Sequence, residues 1–85
     1  MGGGGRRFGS ARRYGRELAA ALCRHWDYRQ VNQVGSHIIL QTDTPEHHRL
    51  SVPDRKPLRI GTLNGILRAV AAAKQTTREA ILAKC

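Results

Sequence analysis

The chain has 85 residues and 9.4 kDa, with 15 Lys and Arg against 6 Asp and Glu for a formal net charge of +9. A chain of this length buries only about 60 to 65% of its unfolded surface, so it is one domain with a small core, and a deep enclosed active-site cavity is excluded. Arginine supplies 12 of the 15 cations, and its planar fork suits phosphate, which leaves RNA, DNA, an anionic membrane surface or an acidic protein as partner classes. No run approaches the ~18 apolar residues of a spanning helix and no basic-then-apolar leader opens the chain, so a cytoplasmic protein with no membrane partner is expected. Cys23 and Cys85 show neither metal-binding spacing nor a paired framework and read as free thiols of a reducing compartment.

Residues 1–13 are rich in Gly and Arg, with Phe8 as the one sizeable apolar group besides Met1. Ordering them would gain little burial, which predicts a disordered basic tail whose Arg6, Arg7, Arg12 and Arg13 add non-specific attraction to phosphate. Residues 14–85 form the folded domain. From Tyr14 the pattern is helical, with Leu18, Ala21, Leu22 and His25 on one stripe, Gly15 as N-cap, Glu17 in the first turn, and Arg24 and His25 at the C-terminal end. Trp26 and Tyr28 follow, sized to close the end of the core, with base stacking as their other use.

Tyr28 to Val34 reads as a first strand, and Gly35-Ser36 as a two-residue type II′ turn. In the second strand Ile38, Leu40 and Thr42 share one face while His37, Ile39 and Gln41 share the other. Both faces carry an aliphatic residue, so this is the central strand, partly covered on both sides. Asp43-Thr44-Pro45-Glu46 is a turn, Arg49 to Val52 a short third strand, and Pro53 its end. A basic loop, Asp54 to Arg59, leads into a helix with Leu63, Ile66, Leu67 and Val70 as its apolar stripe. The T-x-x-E box of Thr76-Thr77-Arg78-Glu79 starts a short third helix through Ile81 and Leu82. The order is α-β-β-β-α with a short extra C-terminal helix, an α+β fold of the double-stranded-RNA-binding-domain-like type with the helices on one sheet face.

The candidate chemistry centres on Gly35-Ser36-His37. The turn delivers an imidazole to the start of a strand near solvent, and imidazole is the side chain suited to moving protons near neutral pH. Arg55, Lys56 and Arg59, beside the free backbone N–H groups of Ile60-Gly61-Thr62, can hold a phosphate. His47 or His48 on the next turn can serve as a second proton shuttle. The six acidic residues are scattered without a cluster for Mg²⁺, and a zinc trio of His37, His47 and His48 lacks groups to orient it.

Taken together and in order, Tyr14-Gly15-Arg16-Glu17-Leu18, Gly35-Ser36-His37, Ser51-Val52-Pro53 and Leu58-Arg59-Ile60-Gly61-Thr62-Leu63 with Ile66-Leu67 resemble the HicA-type mRNA interferase toxin family over about residues 14 to 83. The resemblance implies a toxin that cleaves messenger RNA, His37 matching the family's essential histidine; no cofactor is expected, since the scattered acidic residues offer no metal cluster. It also implies a HicB-like antitoxin protein that covers the site. Many relatives carry a second histidine directly after the first, where this chain has Ile38, so a mechanism needing two adjacent imidazoles is not available to it. A glycine that often ends the family's first helix is replaced by His25-Trp26-Asp27.

RNA brings its own nucleophile: a base that takes the 2′-OH proton lets that oxygen attack the neighbouring phosphate, and an acid protonates the leaving 5′ oxygen. His37 is the expected base, with general acid as its other assignment, and Arg55, Lys56 or Arg59 would neutralise developing charge. A non-catalytic RNA-binding module of the same fold is the alternative. Its last helix would start with basic residues, whereas Gly61-Thr62-Leu63-Asn64-Gly65 is poor in charge. A third reading gives the basic surface to an acidic protein partner.

Overall fold

The three strands β1 (Arg29–Val34), β2 (His37–Thr42) and β3 (His48–Pro53) form one antiparallel sheet in the order β1-β2-β3. Helices α1 (Gly15–His25) and α2 (Ile60–Ala73) cover one face of it, and a short α3 (Arg78–Ala83) packs on α2. The computed structural model describes residues 14–84. The basic stretch 1–13 expected as a tail, and Cys85, lie outside the described residues. This is the expected α-β-β-β-α order with its extra C-terminal helix, and no helix among the described residues is long and apolar enough to cross a membrane.

Alternation builds the core. Ile38, Leu40 and Thr42 of β2 are buried against Leu18 and Leu22 of α1 and Leu63, Ile66, Leu67 and Val70 of α2, with Val52 of β3 and Ile81 of α3 completing the cluster. Each fully buried Leu, Ile or Val contributes about 1.5–3 kcal/mol relative to exposure. Leu58, in the loop before α2, is buried as deeply and pins that loop to the core.

The opposite sheet face has no helix over it among the described residues, and the partial cover expected on both sides of β2 is thin there: His37 is exposed and Ile39 and Gln41 are half-buried. The register lays this outer face in rows across the strands: Val34, His37 and Pro53 at one end, Asn32, Ile39 and Ser51 in the middle, and Arg29, Gln41 and Arg49 at the other end. A bulge at Val31 shifts the β1 register between Gln30 and Asn32. The six residues of β1 are all exposed, because it is an edge strand that α1 flanks but does not cover.

Several boundaries move for identifiable reasons. Tyr28 precedes β1 and is a core residue, its ring turned into the cluster rather than along the sheet. His48 belongs to β3 and not to the preceding turn, since it pairs with Thr42. In α1 the buried stripe is Leu18, Ala19 and Leu22; Ala21 is half-buried and His25 exposed. The α1 cap is Tyr14, and Gly15 is the first helical residue. The α3 cap is Thr77, whose Oγ1 accepts from Ala80 N at 3.1 Å, one residue later than the T-x-x-E spacing indicated. Thr77 wins because the side chain must bond the amide three residues on, and helical backbone starts only at Arg78.

Candidate active site

The β1–β2 turn places the histidine as expected. Gly35 has φ +59°, Ser36 is not left-handed, and Val34 pairs with His37, so Gly supplies the positive φ a type II′ turn needs and His37 becomes the first residue of β2. The turn is tied across the sheet by Asp54 N donating to Ser36 O at 2.7 Å. That bond brings the chain leaving β3, with its arginines, up against the histidine.

A cleft of about 270 Å³ opens there, lined by Ser36, His37, Pro53, Arg55, Arg59 and Thr62. The two stretches that sequence reasoning singled out therefore meet: the turn with its histidine, and two of the three loop cations with the start of α2. Lys56, the third cation, is exposed and does not line the cleft. Arg55 and Arg59 make no ion pair among the described residues, so their charge faces solvent and any anion that enters. At α2 the cap residue Arg59 offers no side-chain hydrogen bond, the first turn holds no acid, and Leu63 is the first residue whose N–H reaches back to Arg59 O, at 2.9 Å. The N–H groups before it add partial positive charge beside the two guanidinium groups.

Ser51, on β3, is a participant that sequence reasoning missed. Its Oγ lies 3.2 Å from His37 Nδ1, a diagonal contact on the outer face, since Ser51 itself pairs with Ile39. Engaging Nδ1 orients the ring and leaves Nε2 for a substrate. The residue was hidden because the β2–β3 register is set by the irregular segment 43–47, whose length does not specify a turn type.

The first helix holds the site from behind. Gly15 N donates to Arg55 O at 2.8 Å, and a Cβ on Gly15 would stand 1.8 Å from Pro53 O, so only glycine allows α1 to approach the Pro53–Arg55 backbone this closely. Arg16 pairs with Asp54 at 2.9 Å, which compensates the carboxylate next to the cleft.

His47 and His48 are elsewhere. His37 pairs with Pro53 and His48 with Thr42, at opposite ends of the sheet, about 17 Å apart along β2. Neither can exchange a proton with a substrate at His37, and the three histidines do not converge as zinc ligands. His48 Nδ1 sits 2.8 Å from the Tyr28 hydroxyl, and Lys74 stands over the Tyr28 ring at 4.9 Å while donating to Thr42 Oγ1 at 2.9 Å and to Thr44 O. Burial first, then the charges of Lys74 and His47, hold the His48 pKa below the usual imidazole range; burial pushes the Tyr28 hydroxyl up to about 12 and lowers the Lys74 ammonium. His47 is exposed and 3.3 Å from Asp43, which also takes Arg29 at 3.0 Å. Trp26 is half-buried against the core with Lys84 5.8 Å above its ring, and Cys23 is a half-buried free thiol whose pKa burial raises. Both pack rather than face the cleft.

Compared with protein-family models, with characterised proteins and with solved structures, the chain matches none.

Proposed function

We propose that the chain is a metal-independent endoribonuclease that cuts messenger RNA, the toxin of a HicA-type toxin–antitoxin pair. The observation that carries this reading is the convergence of His37, held at Nδ1 by Ser51, with Arg55 and Arg59 in one open cleft. A phosphodiester seated between the guanidinium groups and the start of α2 would present its 2′-OH to His37 Nε2. The imidazole takes the hydroxyl proton, the 2′ oxygen bonds to phosphorus, and the P–O5′ bond breaks. The leaving oxygen takes a proton from the imidazolium or from water. The products are a 2′,3′-cyclic phosphate and a 5′-hydroxyl end. Positioned proton transfer supplies about a hundred- to ten-thousand-fold, and cations aimed at the developing phosphorane charge add to it.

A cleft this shallow has no lid among the described residues, and on this reading control comes from outside. On this reading a HicB-like antitoxin with an acidic surface covers the Gly35-Ser36-His37 hairpin, associating fast and more slowly as salt rises. Hydrogen exchange should then show protection of residues 34–41 in the complex.

Purified protein incubated with RNA and a chelator tests the reading. Fragments ending in 2′,3′-cyclic phosphate, absent with His37→Ala, are the expected result. Intact RNA that nonetheless binds the protein would leave the non-catalytic RNA-binding module in place of the nuclease.

A further inference from the structure

The bare sheet face continues from the His37 cleft. Ser51 belongs to both: its hydroxyl contacts His37 Nδ1, and it lines a shallow groove of about 470 Å³ on the outer face with Asn32, Val34, Ile39 and Arg49. No outward position of the three strands is a carboxylate. Arg49 is exposed and has no ion-pair partner among the described residues, whereas Arg29, in the same row, is held by Asp43. The other groove at the sheet edge, beside α1, differs in this respect, since its guanidinium, Arg16, is tied to Asp54 at 2.9 Å. Of the two, only the outer face offers an uncommitted cation.

We propose that the outer sheet face is the bed for single-stranded RNA flanking the scissile phosphate, the strand passing from the His37 cleft over Ser51 and Ile39 to Arg49. The inference rests on the nuclease reading for its direction and adds a binding site and a substrate form to it. From His37 to Gln41 the bed is about 13 Å long. Single strands are bound by a cationic track combined with a surface on which unstacked bases can rest, and sequence is read in RNA chiefly where bases are unpaired. Val34 and Ile39 provide apolar surface, the Gln41 amide presents a donor and an acceptor to base edges, the Asn32 amide presents its NH2 while its Oδ1 accepts from Gln33 N at 2.8 Å, and Arg49 supplies the phosphate contact. The same amides would bias cleavage by the identity of the neighbouring base.

The test uses the His37→Ala protein, so that the probe survives, and a fluorescein-labelled single-stranded RNA of about 12 nucleotides, with binding read by anisotropy across salt. Arg49→Ala in that background should weaken binding about five-fold at ~0.1 M salt and reduce the slope of log affinity against log salt by about 0.7, the signature of one lost phosphate contact. Arg24→Ala, which removes the same charge from the exposed end of α1, should leave both unchanged. Equal losses in the two variants would overturn the proposal, reducing the effect to net charge. Poly-glutamate bound more tightly than the RNA, and released by Arg49→Ala, would also overturn it by giving the face to an acidic protein. Cleavage does not enter the measurement, so a failed nuclease reading and a failed RNA bed are told apart.

Discussion

Each end of the sheet carries a strand-initiating histidine, and the two have opposite surroundings. His48 begins β3 with the Tyr28 hydroxyl 2.8 Å away, the Tyr28 ring edge-on at 6.0 Å, and Lys74 behind the ring. His37 begins β2 with one hydroxyl contact and a cleft in front of it. Each imidazole has one hydroxyl partner at Nδ1 and each lines a groove, so the difference lies in burial and neighbours: His48 is half-buried against the Tyr28 ring and Lys74, whereas His37 is exposed beside two arginines. The imidazole packed into the fold is committed to holding it, and the exposed one is open to a ligand. The charges differ in the same sense: Lys74 is engaged with Thr42 and Thr44, while Arg55 and Arg59 have no acidic partner among the described residues.

Exchanging the damage between the two ends gives the largest effect. His37→Ala should reduce RNA cleavage by about a hundred- to ten-thousand-fold and shift the urea midpoint little, since exposed truncations usually cost less than ~0.5 kcal/mol. His48→Ala should do the reverse, losing about 1–3 kcal/mol through the unpaired Tyr28 hydroxyl while the folded fraction keeps its rate. Cleavage lost in His48→Ala at full folding would erase the distinction between the ends.

The His37 end can also be broken from behind. Gly15→Ala places a methyl 1.8 Å from Pro53 O, and the neighbour is backbone that cannot swing aside. Forcing extra volume into such a contact costs about 1–3 kcal/mol or more. The displaced Pro53–Arg55 segment would also carry Arg55 away from His37. Thermal unfolding together with cleavage of the folded protein measures both parts; a Gly15→Ala variant as stable and active as the parent would show that α1 does not set the position of the loop.

These two ends also differ in how much of them the sequence displays. Gly35-Ser36 before His37 declares a tight turn, and the turn fixes the β1–β2 register from Val34 back to the bulge at Val31, so His37 was legible as a solvent-side imidazole. The apolar stripe of α2 was equally plain, because Leu63, Ile66, Leu67 and Val70 repeat at helical spacing and all are buried. Ser51 and the Tyr28–His48–Lys74 cluster were not legible. They depend on how far β3 slides against β2, and segment 43–47 carries no turn signature that sets the offset. Gly15 read as a cap because a close approach leaves no trace in local sequence; the atom it makes room for belongs to Pro53, across the fold. The placement of the helices on one sheet face was legible from the element order, and Ile39, the aliphatic residue of the other face, is half-buried, as partial cover of that side implies.

Among the cations the expected effects are smaller and graded. Arg55→Ala and Arg59→Ala should each lower the slope of log RNA affinity against log salt by about 0.7, as for one phosphate contact apiece. Lys56→Ala, outside the cleft, should change the slope less than either. A Lys56 effect equal to the arginines would mean that the phosphate path runs over the loop and not through the cleft.

The finest separation of the two ends is through pH. The folded His48 pKa is lowered by burial and by the Lys74 and His47 charges, so the folded state binds fewer protons than the unfolded chain, whose imidazole titrates near the ordinary value of about 6.5. Stability then rises with pH across that interval. The contribution is whole above the unfolded value and is lost as pH falls from there through the lowered folded value. Protonation would add a cation beside Lys74 and remove the Nδ1 lone pair that the Tyr28 hydroxyl can bond. Asp43, lowered by its hydrogen bonds to Arg29 and His47, acts in the same direction but only below the usual carboxylate range. Urea midpoints at about pH 7.5 and about pH 5.5 isolate the histidine, because carboxylates stay ionised at both. The midpoint of the parent protein should fall on acidification at constant m, and His48→Gln, which keeps an acceptor but cannot take the proton, should remove most of the fall. A fall of the same size in His48→Gln would assign the acid sensitivity to another group and leave the Tyr28–His48–Lys74 end without its distinguishing property.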